Sequence, residues 1–208
     1  MGEATEAYLR ARYWQEDELL RELREDLERR GPTIQVSAET GRLLAVLTAA
    51  TAARRVLEVG TLFGYSGVWI ARALPSDGSL DTLELSDVHA DAAEAWFARA
   101  GLADRVTVRR GPALSTLAGL DGPYDLAFLD AAKAEYVDYA RHAARLLRPG
   151  GTLLADNAIW SGRIADPGVT DDDTEGIRRF HDHLAQDPAW DATVVPVGDG
   201  VAVAVRRG

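Results

Sequence analysis

The chain has 208 residues, 47% of them hydrophobic and 27% charged, with 19 Gly and 8 Pro, a globular composition that excludes disordered and collagen-like readings. With no Cys and 4 His it can build no disulfide framework, thiolate zinc site, iron–sulfur cluster or cysteine nucleophile, so a metal would have to be held by oxygen or imidazole. A formal charge of -10 repels a phosphate backbone and argues against a nucleic-acid partner, and the absence of an apolar leader or membrane-length apolar run leads us to expect a soluble cytoplasmic protein.

Over residues 3–30 the apolar positions Tyr8, Leu9, Tyr13, Leu19, Leu20, Leu23 and Leu27 recur with a helical period among dense charges and stop at Gly31-Pro32, which predicts a charged helical arm. Its apolar stripe must be covered, either by the rest of the chain or by a second copy. A second helix is expected from Ser37, as N-cap, to about Thr51. From Arg55 onward, short apolar runs alternate with helix-like stretches: RVLEVG, YSGVWIARALP, SLDTLEL, HADAAEAWFARAG, RVTVRRG, YDLAFLD, EYVDYARHAARLLRPG and GTLLADN. That βαβ alternation predicts a doubly wound parallel α/β sheet. After a loop from Ile159 to Asp173 and one more helix, ATVVPVG and VAVAVRR meet through Gly198-Asp199-Gly200, the pattern of an antiparallel hairpin. No linker or repeat intervenes, so one domain is expected over 1–208, with the arm at 1–30 and a sheet core at 53–208.

The first strand ends in Glu58-Val59-Gly60, followed by Thr61-Leu62-Phe63-Gly64-Tyr65-Ser66-Gly67 and a helix. A glycine turn between a first strand and its helix is where open α/β sheets bind nucleotide-like ligands. The glycines at 60, 64 and 67 do not make the dinucleotide G-x-G-x-x-G, and Glu58 would oppose a pyrophosphate. A carboxylate there suits a cationic ligand such as S-adenosylmethionine: the acid would hold its ammonium, and backbone N–H groups with Ser66 its carboxylate. Glu84 closes the second strand where a ribose-binding acid belongs. The loop alone is equally compatible with a plain turn and a solvated strand-end charge; Glu84 tips the balance toward the cofactor.

Asp130 ends one strand and Asp156-Asn157 another, at the edge of the sheet where ligands bind. Two carboxylates and an amide form a hard-oxygen set suited to Mg²⁺ or Ca²⁺. Lys133, three residues past Asp130, can reach back over the same site and is the candidate general base, since a lysine beside a divalent cation is discouraged from carrying its own charge. Taken singly, a helix-capping Asp, an Asp-Asn turn and a solvent-facing Lys are commoner than catalysis; their combination is what points to chemistry.

Together EVGTLFGYS, LDAAKAEY and ADNAIWSG resemble the cation-dependent O-methyltransferases, the family of the caffeoyl-CoA and catechol enzymes, from about Thr33 to the C-terminus. The resemblance implies a Rossmann-like, seven-stranded methyltransferase sheet with a C-terminal antiparallel hairpin. It implies S-adenosylmethionine held by Glu58, Gly60, Thr61, Ser66, Glu84 and Asp130, with Val36 lining the pocket and Ala113 under the adenine. It further implies Mg²⁺ or another hard cation on Asp130, Asp156 and Asn157, with Lys133 as base and Asp130 beside it in catalysis. The acceptor would be a small-molecule hydroxyl, one of two vicinal hydroxyls on an aromatic ring, and the assembly a homodimer. Two positions depart from the family pattern: Ala132 and Pro112 stand where it carries Asp, which bears on cofactor affinity and not on the metal set. The alternatives are the same chemistry on a carrier-bound hydroxy acid or a modified tRNA base, and a cofactor-binding module without turnover. His181 and His183, two apart on a helix, make no metal pair, while His89 and His142 read as surface histidines. Trp160 is placed to stack on a planar substrate or to pack, and Asp171 to Asp173 read as the solvated start of a helix.

Overall fold

A computed structural model describes residues 2–208. Seven strands form one sheet in the order β3-β2-β1-β4-β5-β7-β6: β1 (Arg55–Val59), β2 (Ser79–Glu84), β3 (Val106–Arg110), β4 (Tyr124–Leu129), β5 (Leu147–Ala155), β6 (Trp190–Val195) and β7 (Val201–Arg206). The strands from β3 to β5 run parallel, and β7 is antiparallel to both β5 and β6. The doubly wound sheet and its terminal hairpin are therefore as the sequence predicts. Because the chain order reverses between β1 and β4, the crevice at their carboxyl ends is where a ligand site is expected.

The helices are α1 (Glu3–Tyr13), α2 (Glu18–Arg30), α3 (Ala38–Ala50), α4 (Tyr65–Ala73), α5 (Asp87–Arg99), α6 (Ala113–Gly119), α7 (Tyr136–Leu146) and α8 (Asp172–Gln186). Two apolar clusters cover the two faces of the sheet. One joins Leu20, Leu23 and Leu27 of α2 to Val56 and Phe128 of the strands, and the other joins Tyr136 and Phe180 of α7 and α8 to Leu57 and Leu153. Ser37 caps α3 by accepting from the Thr40 N–H, and Asp171 caps α8 by accepting from the Thr174 N–H, both in the places their residue types dictate. None of the described helices is long and apolar enough to cross a membrane.

Three expectations change. The arm is two helices: Asp17 leaves helical geometry at ψ 179°, and its side chain accepts from the Leu20 N–H, so a cap wins over continuation of the period. The stripe divides with it. Leu20, Leu23 and Leu27 pack into the chain's own core, whereas α1 buries nothing and leaves Tyr8 and Tyr13 56% and 61% exposed. Leu147 to Gly150, read as the end of a helix, begin β5, because Pro149 and two glycines cannot continue the α7 period. The short helix α6 was not anticipated at all.

Candidate active site

Over the carboxyl ends of β1, β2 and β4 lies a cavity of about 870 Å³. Its wall brings together Val36, Gly60, Thr61, Ser66, Glu84, Ala113, Asp130, Lys133 and Asn157 from six stretches of chain. Gly60 is required by close approach. With φ at +103° and its Cα against the Asp130 carbonyl, any Cβ would collide with the β4 backbone. The ends of the strands are stitched here, the Gly60 N–H donating to the Leu83 carbonyl at 3.1 Å and the Asp130 N–H to the Val59 carbonyl at 2.8 Å.

Glu58 does not reach the cavity, contrary to its expected contact with a ligand ammonium. Its side chain is fully buried behind the wall, accepting from the Ser66 hydroxyl and the Thr82 hydroxyl at 2.6 Å each. The Thr61 and Thr82 hydroxyls lie 2.6 Å apart, and while Glu58 is ionised and accepts from Thr82, Thr61 is left as the donor of that pair, so that two hydroxyls of the wall point their hydrogens inward. With Glu58 ionised, Ser66 Oγ presents an acceptor to the cavity, the complement of an ammonium and not of the carboxylate first assigned to it. Burial pushes the Glu58 carboxyl up to about 7 against the two hydroxyl bonds, with the charges of Asp130 and Glu84 adding to the shift. Glu84 stays in the wall and accepts from two backbone donors, the Leu62 N–H at 2.8 Å and the Ser86 N–H at 3.0 Å, with His89 Nδ1 lying 3.4 Å from its Oε1. His89, read as a surface residue, thus belongs to the site, and its place after the Ser86 cap, one turn beyond Glu84, was the available signal.

At the other end of the cavity, Lys133 Nζ donates to Asp130 Oδ1 at 2.7 Å and to the Tyr136 hydroxyl at 2.8 Å, with the lysine 8% exposed. The Tyr136 hydroxyl donates to the Leu129 and Asp156 carbonyls at 3.3 Å, and burial holds its phenol well above the ordinary range. Lys133 is the sole lysine of a chain with 23 basic residues, a feature of the sequence that singles it out before any fold is known. Asp156 lies beneath the wall at 6% exposure; its Oδ1 is buried with no hydrogen-bond partner, and burial together with the charge of Asp130 raises its carboxyl. Asn157, at φ +60°, turns its side chain to the wall and donates from Nδ2 to Asp199. An orphaned carboxylate oxygen beside a second carboxylate and an amide fits a hard divalent cation. Among the described residues no three His, Cys, Asp or Glu side chains cluster as a metal set, so the third protein ligand would have to be the Asn157 amide.

Glu135, Tyr139, Trp160 and Asp173 complete this end of the wall; of them Trp160 was singled out beforehand as a substrate or packing residue and Asp173 only as part of the solvated start of a helix. Trp160 Nε1 donates to Thr174 Oγ1 at 3.0 Å, which fixes the ring against α8 while leaving it in the wall. His181 Nε2 meets the Ala158 carbonyl at 2.7 Å, a structural bond in keeping with its exclusion as a ligand.

The raised Glu58 carboxyl has a consequence for stability. The folded, ligand-free state keeps this proton up to about pH 7, whereas the unfolded chain loses it near 4.5, so stability falls as pH rises through that window, by roughly 3 kcal/mol at full effect. Unfolding of E58Q and of the unaltered protein, followed by denaturant titration, should diverge between pH 4.5 and 7 in the variant's favour. A difference independent of pH would show that Glu58 carries no such shift.

Residues 10–207 match the O-methyltransferase family, so the match takes in most of the arm as well as the sheet. The chain is 40% identical over 203 residues to a catechol O-methyltransferase of Niastella koreensis, covering 93% of this chain and 92% of that one. It is 44% identical over 182 residues to a catechol O-methyltransferase of Mycobacterium tuberculosis, covering 85% and 82%. The O-methyltransferase TomG of Streptomyces achromogenes, solved in complex with S-adenosylmethionine, superposes with a TM-score of 0.92 at 36% identity over 100% of both chains. The protein belongs to the S-adenosylmethionine-dependent O-methyltransferase family.

Proposed function

We propose that this enzyme transfers the methyl group of S-adenosylmethionine to one of two vicinal hydroxyls on a small aromatic acceptor, with a divalent cation on Asp130, Asp156 and Asn157. The observation that carries this reading is the contact of Lys133 Nζ with Asp130 Oδ1 at 2.7 Å, next to the unpartnered Asp156 Oδ1. A bound Mg²⁺ would supply Lewis acidity to the acceptor oxygens and a fixed geometry for both of them. Lys133 takes the proton of the hydroxyl that accepts the methyl group. Arginine cannot do this because its guanidinium stays protonated, and every other of the 23 lysine and arginine positions of the chain is arginine. Tyr136, keeping its own proton, holds the lysine amine over the site. At the cofactor end Glu84 receives the ribose hydroxyls, Val36 and Ala113 line the adenosyl group, and Ser66, backed by Glu58, receives the ammonium.

The cavity wall also separates the candidate acceptors. Among the described residues Lys133 is the only lysine or arginine lining it, against Glu84, Asp130, Glu135 and Asp173, so a phosphate-rich carrier or tRNA would meet repulsion where a neutral catechol would not. We further propose a homodimer formed through α1, since Tyr8 and Tyr13 stay exposed there and Val46, on the helix that α1 contacts, is 54% exposed.

Methyl transfer to a simple catechol should require Mg²⁺, stop in EDTA, and fall roughly 10²-fold or more in D156A together with Mg²⁺ affinity. Full activity of D156A in EDTA would reject the metal mechanism. K133A should lower kcat by roughly 10² to 10⁴ with S-adenosylmethionine affinity nearly unchanged, and K133R should not restore it; an unimpaired K133R would reduce the role of this position to charge. Light scattering at micromolar concentration should give a twofold assembly that buries roughly 1,600 Å² and dissociates on substituting Tyr8 and Tyr13 by Ser; a mass of 22.5 kDa would refute the dimer.

A further inference from the structure

The turn between β6 and β7 touches the site from outside the cavity. Asp199 at its tip accepts from Asn157 Nδ2 through Oδ2 at 3.4 Å and from the Ser161 N–H through Oδ1 at 2.6 Å. Backbone bonds clamp the same two segments: the Ile159 N–H donates to the Asp199 carbonyl at 2.8 Å and the Ala158 N–H to the Gly200 carbonyl at 2.9 Å. Gly200 sits so close, at φ +83°, that a Cβ would run into Ile159. The segment held in this way is strained. Asn157, Trp160 and Ser161 all have positive φ, between 51° and 60°, a region that costs non-glycine residues roughly 1 kcal/mol or more each and persists only where surrounding contacts enforce it.

A side-chain amide has one oxygen and one nitrogen, and a hard cation accepts only the oxygen. A carboxylate beside Nδ2 makes the flipped amide repulsive, oxygen against oxygen, so it turns the Asn157 oxygen away from the hairpin. We propose that Asp199 is the positioning residue for the metal ligand Asn157: it selects the oxygen-presenting orientation of that amide and, through Ser161, holds the strained loop that carries Trp160 into the cavity wall. This inference rests on the divalent-cation reading above. It adds that the C-terminal hairpin, remote from the metal ligands in sequence, determines how well the cation is held.

The test is calorimetric titration of Mg²⁺ into the protein saturated with S-adenosylhomocysteine, for the unaltered chain, D199N, N157D and the double variant. D199N retains the size of the side chain but has one oxygen for two donors, so Mg²⁺ affinity should fall by roughly 10- to 100-fold. Binding of S-adenosylhomocysteine in EDTA should stay within about twofold, because Asp199 is not in the cavity wall. In the N157D background the loss caused by D199N should disappear or reverse, since a carboxylate offers oxygen whichever way it turns and D199N also removes its repulsion by Asp199; a merely structural role for Asp199 would still show the loss there. An unchanged Mg²⁺ affinity in D199N, or an equal loss in both backgrounds, overturns the inference while leaving the metal reading intact. If the unaltered protein takes up no Mg²⁺, the metal reading falls and this inference with it.

Discussion

Three carboxylates, Glu58, Asp130 and Asp156, converge at the carboxyl ends of β1, β4 and β5, where only Lys133 provides a compensating positive charge in the cavity wall. Carboxylates withdrawn from water raise their affinity for a proton or another cation, and the burial-driven upward shifts of Glu58 and Asp156 are the local expression of that tension. The ligand-free site is thus a cavity short of positive charge. A sulfonium with an ammonium at one end and a divalent cation at the other are the kinds of ligand that relieve it, which links the electrostatics of the sheet edge to the chemistry proposed for it.

Such a site needs a rigid frame. At the opposite edge of the sheet Asp125 accepts from the Arg54 and Arg55 N–H groups at 2.9 Å and from Arg148 Nε at 2.7 Å, tying the beginnings of β1, β4 and β5 together. The carboxyl ends of β1, β2 and β4 are stitched through Gly60 and Asp130. Registry fixed at both ends of the strands leaves little freedom for the side chains that leave them, which is what catalytic placement requires.

The break in the arm contributes to the same frame. Between α1 and α2 the side chain of Glu16 accepts from the Tyr65 hydroxyl at 2.7 Å and pairs with Arg24 Nε at 3.1 Å, and Tyr65 lines the cavity. Asp26 on α2 accepts from Trp96 Nε1 at 3.1 Å while the Arg30 guanidinium holds its carboxyl down to about 2. The arm is therefore tied through Glu16 to Tyr65 at the cavity wall and packed into the core by the α2 leucines, whereas α1 buries no residue.

What the sequence determined by itself is whatever depends on neighbours a few residues apart. The strand and helix periods, the cap at Ser37, the helix start at Asp171 to Asp173, the hairpin around Asp199 and the placing of Asp130, Lys133, Asp156 and Asn157 at strand ends were all legible, since backbone geometry and side-chain alternation are local constraints. The tertiary structure decided what depends on which groups meet across strands. Ser66 gives its proton to Glu58 because β2 brings Thr82 and β1 brings Glu58 to the same buried point, and this reverses the polarity that Ser66 shows a ligand. His89 joins Glu84, and Asp199 joins Asn157 42 residues away, for the same reason. A hydrogen bond has a direction and a partner, and nothing in the spacing of residues along a chain specifies either until the fold has brought donor and acceptor together.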